Sequence, residues 1–69
     1  MKFTFERFWG TAAKMGKLMK EGSRPSRVSK LAHRLAALEM AAVRDGWTYE
    51  ALAEIAGDWI LYGQQKAKG

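Results

Sequence analysis

Residues 25–45 read PSRVSKLAHRLAALEMAAVRD, a pattern that specifies an amphipathic helix. Val28, Leu31, Ala32, Leu35, Leu38 and Ala42 recur three and four residues apart, the spacing that gathers apolar side chains on one face of an α-helix. Pro25 suits the first turn, where its missing N–H removes a donor that would have no partner. Asp45-Gly46 closes the segment with a glycine in the position that favours a left-handed backbone. Ala36, Met40 and Val43 widen the apolar arc sideways, which predicts that this is the central helix.

Working outward, Thr4 is placed to cap an upstream helix over about 4–21. Glu6 stands at the positive end of its dipole, and Phe3 and Phe8 have the spacing of a hydrophobic staple. Phe5, Phe8, Trp9, Ala12, Met15, Gly16 and Met19 form its stripe, and Gly22 ends it. Ser23-Arg24-Pro25-Ser26 is the turn. Downstream, Thr48 caps a third helix over about 48–66, with Trp47 stapled onto Leu52. Its stripe is Leu52, Ile55, Ala56, Trp59, Tyr62 and Gly63. Gly57 and Gly63 each cost about 1 kcal/mol against alanine, which predicts fraying after Tyr62. No segment alternates with period two. The expectation is one all-α domain over residues 1–69, a small three-helix up-down-up bundle or a helical protomer that completes its core by dimerising.

A chain of 69 residues buries only about 60% of its unfolded surface. Three Trp, three Phe and two Tyr, offset by many alanines and seven glycines, suggest large aromatics set into holes left by small residues. Apolar residues make up 48% and charged residues 28%, a balance that excludes a disordered tail. No apolar run has the roughly 18 residues of a transmembrane helix. The opening Met-Lys-Phe-Thr-Phe-Glu-Arg meets charge too soon for a secretory leader. There is no cysteine, so a reducing cytoplasm is the expected location.

Catalytic groups are not arranged as chemistry requires. His33 is the only histidine, and Ser29, Lys30, Ala36 and Ala37 occupy the positions three and four residues away, so neither a metal pair nor a nucleophile-base arrangement is signalled. Its expected place is a helix flank. Glu50, Glu54 and Asp58 share one face of the third helix, a pattern more typical of a solvated surface than of acid-base work. No phosphate loop, cofactor motif or metal site is present. Glu39 is unusual because it falls within the apolar seam of the second helix. It is either a long side chain leaving at the edge of the seam or a buried carboxylate that fixes register or meets a basic partner.

Charge is the most informative feature. The chain carries +5 overall, but residues 1–36 hold nine Lys/Arg against two Glu, giving +7, and residues 37–69 hold three against five, giving −2. Lys14, Lys17, Lys20, Arg24, Arg27, Lys30 and Arg34 are the candidate binding residues. Lys17 and Lys20 suit the C-terminal end of their helix. Arg24, Arg27 and Lys30 do not: they open a helix with no acid in its first turn, against the dipole by typically 0.3–1 kcal/mol each. Either the acidic face of the third helix neutralises them, or they meet an anionic partner.

Residues 49–57, YEALAEIAG, resemble the first half of a helix-turn-helix, with Ala53 and Gly57 in the usual places. The resemblance then stops. Asp58 and Gly63 stand where apolar residues should pack, and no polar reading surface follows. The function expected is therefore that of a non-enzymatic binder, docking on a larger protein with an acidic surface and inhibiting or regulating it. Its size and class are those of phage and mobile-element inhibitors such as anti-CRISPR proteins, an analogy and not a motif match. Sequence-nonspecific nucleic-acid binding through the basic corner is the alternative. Membrane-surface binding comes third: Phe3, Phe5, Phe8 and Trp9 opposite Lys14, Lys17 and Lys20 make a basic amphipathic pattern, but the core needs those aromatics. Leu18 and Leu61 lie on otherwise polar faces and are the candidate oligomer-interface residues, predicting a homodimer.

Overall fold

Three short-range signals set the boundaries of the helices. The Thr4 hydroxyl accepts from the Arg7 amide at 3.2 Å and the Thr48 hydroxyl from the Ala51 amide at 3.3 Å, each relieving an N–H that a helix start leaves unpaired. At the C-terminal ends, Gly22 (φ +73°) and Gly46 (φ +104°) take the left-handed backbone that side chains disfavour. Each then closes a Schellman motif. Ser23 N–H donates to Leu18 C=O at 3.0 Å and Gly22 N–H to Met19 C=O at 3.3 Å; Trp47 N–H donates to Ala42 C=O at 3.1 Å and Gly46 N–H to Val43 C=O at 3.1 Å. A computed structural model describes residues 2–67, and in it these signals bound α1 (Phe5–Lys20), α2 (Pro25–Arg44) and α3 (Tyr49–Lys66). Among the described residues there is no strand. The fold is a small all-α three-helix bundle; of the predicted 1–69 domain, residues 1, 68 and 69 lie outside the described residues.

The central helix is α1, which corrects the expectation for α2. α1 packs against both neighbours, while α2 and α3 scarcely touch. The apolar width of α2 misled because Ala36, Met40 and Val43 are exposed: its arc is wide, but only the line Leu31, Leu35, Leu38 and Ala42 is buried. The starts of α1 and α3 meet at Trp47, whose ring lies 5.8 Å from Phe3 and 6.3 Å from Phe5. Their ends share a depression lined by Lys20, Leu61, Gln64, Gln65 and Ala67. α1 and α3 therefore run the same way, and the tight turns give the up-down-up order.

Gly16 and Gly63 bring these two helices into backbone contact. A side-chain carbon on Gly16 would sit on the Ile60 carbonyl oxygen, and one on Gly63 on the Ala13 carbonyl oxygen. Such an approach maximises close-range dispersion between the helices, and only glycine permits it. It also corrects the predicted fraying: α3 remains helical to Lys66, four residues past Tyr62, because Gly63 is buried against α1.

Phe8, Leu38 and Leu52 are the largest fully buried side chains, with Ala12, Leu35, Ala42 and Ala56 around them. Here too the expectation is corrected. Phe8 is the one fully buried aromatic; Phe3 and Trp59 pack against the core only partly buried. Trp9 stacks on Trp59 at 4.8 Å, Trp59 meets the edge of Tyr62 at 5.1 Å, and Phe5, Trp47, Tyr49 and Tyr62 remain substantially exposed. The Phe3–Phe8 staple forms, with ring centroids 5.8 Å apart. For Trp47, the ring partners are Phe3 and Phe5, so it ties the α2–α3 turn to the start of α1.

Candidate functional site

α1 presents different flanks to its two neighbours. Gly16 touches α3, and by helical geometry Lys14 and Leu18 stand on the opposite flank, toward α2. On α2, Arg27, Lys30, Leu31 and Arg34 recur at helical spacing on the side that faces them. The result is an open groove of about 300 Å³ between α1 and α2, lined by Lys14, Leu18, Arg27, Lys30, Leu31 and Arg34. Its lining holds four cations, two leucines and no acid.

Both halves of this lining have local causes. Leu31 is buried because it belongs to the seam of α2, and its edge lines the groove. Leu18 is half-buried beside it. The four cations are exposed. The start of α2 offers them no compensation: Arg24 takes the N-cap position without a side-chain cap, and no acid occupies the first turn. Two bonds to the Arg24 carbonyl, from Arg27 N–H at 3.0 Å and Val28 N–H at 3.4 Å, are all that the turn itself supplies. The acids of α3 lie elsewhere. Glu50, Glu54 and Asp58 are exposed on α3, outside the groove lining.

Of the seven candidate binding residues, Lys14, Arg27, Lys30 and Arg34 are brought together. Lys17, Lys20 and Arg24 are exposed but outside the groove lining, and Lys20 borders the depression at the ends of α1 and α3. The two candidate interface leucines are separated: Leu18 is groove floor, whereas Leu61 is 56% exposed on α3. Their presence on different surfaces was not readable from either helix alone, because it depends on which flank of α1 each neighbour takes.

His33 is exposed on the flank of α2. Glu39 is half-buried, and removal of its carboxylate from water raises its pKa above the ordinary value of 4.5. That geometry matches a long side chain leaving at the edge of the seam. Among the described residues, no group of three or more His, Cys, Asp or Glu is placed to hold a metal ion, and no helix is long and apolar enough to cross a membrane. No protein family, curated protein or solved structure matches the chain.

Proposed function

We propose that the protein is a non-enzymatic binding module that docks an acidic segment of a larger partner protein in the α1–α2 groove and thereby regulates or inhibits that partner. The observation that carries this reading is the composition of the groove: two leucines as floor, with Lys14, Arg27, Lys30 and Arg34 as walls and no acid among them. Arg27, in the first turn of α2 with no acid beside it, lies against the helix dipole and lowers the stability of the free protein slightly, a loss that an anionic partner would recover. The leucine floor favours protein over nucleic acid, since a phosphate backbone rewards cations and makes no use of buried aliphatic carbon. The absence of cysteine suits a reducing cytoplasm, where we place this activity.

The test is comparative capture from cell extract on immobilised parent and Arg27→Glu/Lys30→Glu protein, followed by titration of the purified captured protein against parent, the double reversal and Leu18→Ala. The reading expects binding that falls at least tenfold for each variant and weakens with salt. Random-sequence duplex DNA supplies the opposing arm. If DNA binds the parent tightly with a steep salt dependence that Leu18→Ala leaves unchanged, the groove is a phosphate-backbone site and the reading fails.

A further inference from the structure

The outer face of α3 has the chemistry that the groove would accept. Leu52, Ala56 and Gly63 are buried toward the core, and on the other side of the helix Glu50, Glu54, Asp58 and Leu61 are all exposed. Three acids and one large aliphatic residue on one helical face are the counterpart of four cations and two leucines in one groove. The charged parts are of similar length, and Leu61 extends the α3 face to about 16 Å. Glu50 to Asp58 spans about 12 Å of helix and Arg27 to Arg34 about 10 Å.

The two surfaces cannot meet within one molecule. Gly16 holds α3 against one flank of α1, while Lys14 and Leu18 open the groove on the opposite flank. A symmetric contact of groove with groove is also disfavoured, because it would oppose two sets of four cations. We infer that a second copy of this chain occupies the groove, with the Glu50, Glu54, Asp58 and Leu61 face of its α3 laid between Lys14 and the Arg27–Arg34 edge of α2. The contact joins unlike surfaces, so Leu18 and Leu61 become partners across it, although they line different surfaces of one protomer. This rests on the reading of the groove as a docking surface and adds a regulation to it: self-association and the partner compete for the same cations.

A charge-swap experiment tests the inference. Sedimentation velocity on the full chain, from micromolar to millimolar protein at low salt, should show association that weakens in 0.5 M salt. Arg27→Glu/Lys30→Glu should be monomeric, and so should Glu50→Lys/Glu54→Lys. Mixed in equal amounts, the two variants should associate again, because each then offers the other a complementary groove and face. Circular dichroism of both variants establishes that they are folded. A strictly monomeric parent, or association that both reversals leave intact, overturns the inference, as does a mixture that remains monomeric. The docking reading fails separately. Glu50→Lys/Glu54→Lys keeps the groove, so it should capture the external partner at least as well as the parent does, whatever its own oligomeric state.

Discussion

Gly16 and Gly63 occupy reciprocal positions: Gly16 lies against the carbonyl of Ile60, three residues before Gly63, and Gly63 against the carbonyl of Ala13, three residues before Gly16. Each helix thus supplies one glycine and one carbonyl to the crossing. Both glycines carry an ordinary helical penalty of about 1 kcal/mol, and both are retained where α1 and α3 are closest. Backbone contact here lets a bundle of 69 residues gain packing that its few fully buried side chains do not supply.

Gly16→Ala and Gly63→Ala are each expected to destabilise by about 2 kcal/mol or more, because the obstacle is backbone and cannot rotate aside. Gly57→Ala is the contrasting substitution. It lies in the interior of α3 with nothing within 4 Å of the new carbon, so helix propensity alone acts and stability should rise by about 0.5–1 kcal/mol. Thermal melts of the three variants check the pattern. Equal behaviour of Gly57 and Gly63 would refute the close crossing.

At the α2–α3 junction, Thr48→Ala removes the acceptor for the Ala51 amide and should cost about 1 kcal/mol. Trp47→Ala removes two aromatic contacts, to Phe3 and Phe5, and should cost about 2 kcal/mol. That is less than the ~3–5 kcal/mol of a fully buried aromatic, because Trp47 is 39% exposed. Urea denaturation of both variants, compared with Thr4→Ala, measures this. A Trp47→Ala cost below that of Thr48→Ala would remove its role as the tie between turn and α1.

Glu39 gives a pH dependence of definite sign. Its pKa is raised in the folded state by desolvation, so the folded protein favours the protonated form. Its contribution to stability is therefore fully present below the ordinary value of 4.5 and is lost as pH rises through the folded value. Glu39→Gln should be slightly more stable than the parent at pH 7, with the difference shrinking toward zero as pH falls below 4.5. A parent that is more stable than Glu39→Gln at pH 7 would point to a cationic partner for the carboxylate.

Helix positions were legible in the sequence because their determinants are local. The Thr4 and Thr48 caps, Pro25 at the first turn, and Gly22 and Gly46 as terminators act within four or five residues, and the observed boundaries fall within one residue of those expected. The packing order was not legible. Apolar width on α2 is visible along the chain, but whether Met40 and Val43 are covered depends on where α3 goes, and α3 is drawn to α1 by Gly16 and Gly63. Gly63 read in isolation as a weak point, yet opposite α1 it is a contact. The basic cluster was legible as composition; its division into four groove residues and three bystanders required the flank of α1 that α2 occupies.

The melting temperature of Arg27→Glu/Lys30→Glu, at low salt and at a concentration where the parent is monomeric, shows whether the groove cations serve a partner or the fold. If they are uncompensated, an acid at position 27, in the first turn of α2, favours its dipole by about 0.3–1 kcal/mol, and one at position 30, a turn further in, adds less. A gain of ~1 kcal/mol raises the midpoint of a domain this small by roughly 4–8 °C, so the account predicts a midpoint unchanged or raised by several degrees. A clear fall in the midpoint, partly recovered by adding Glu54→Lys, would show that the cations pair with α3 within the fold and would contradict the account.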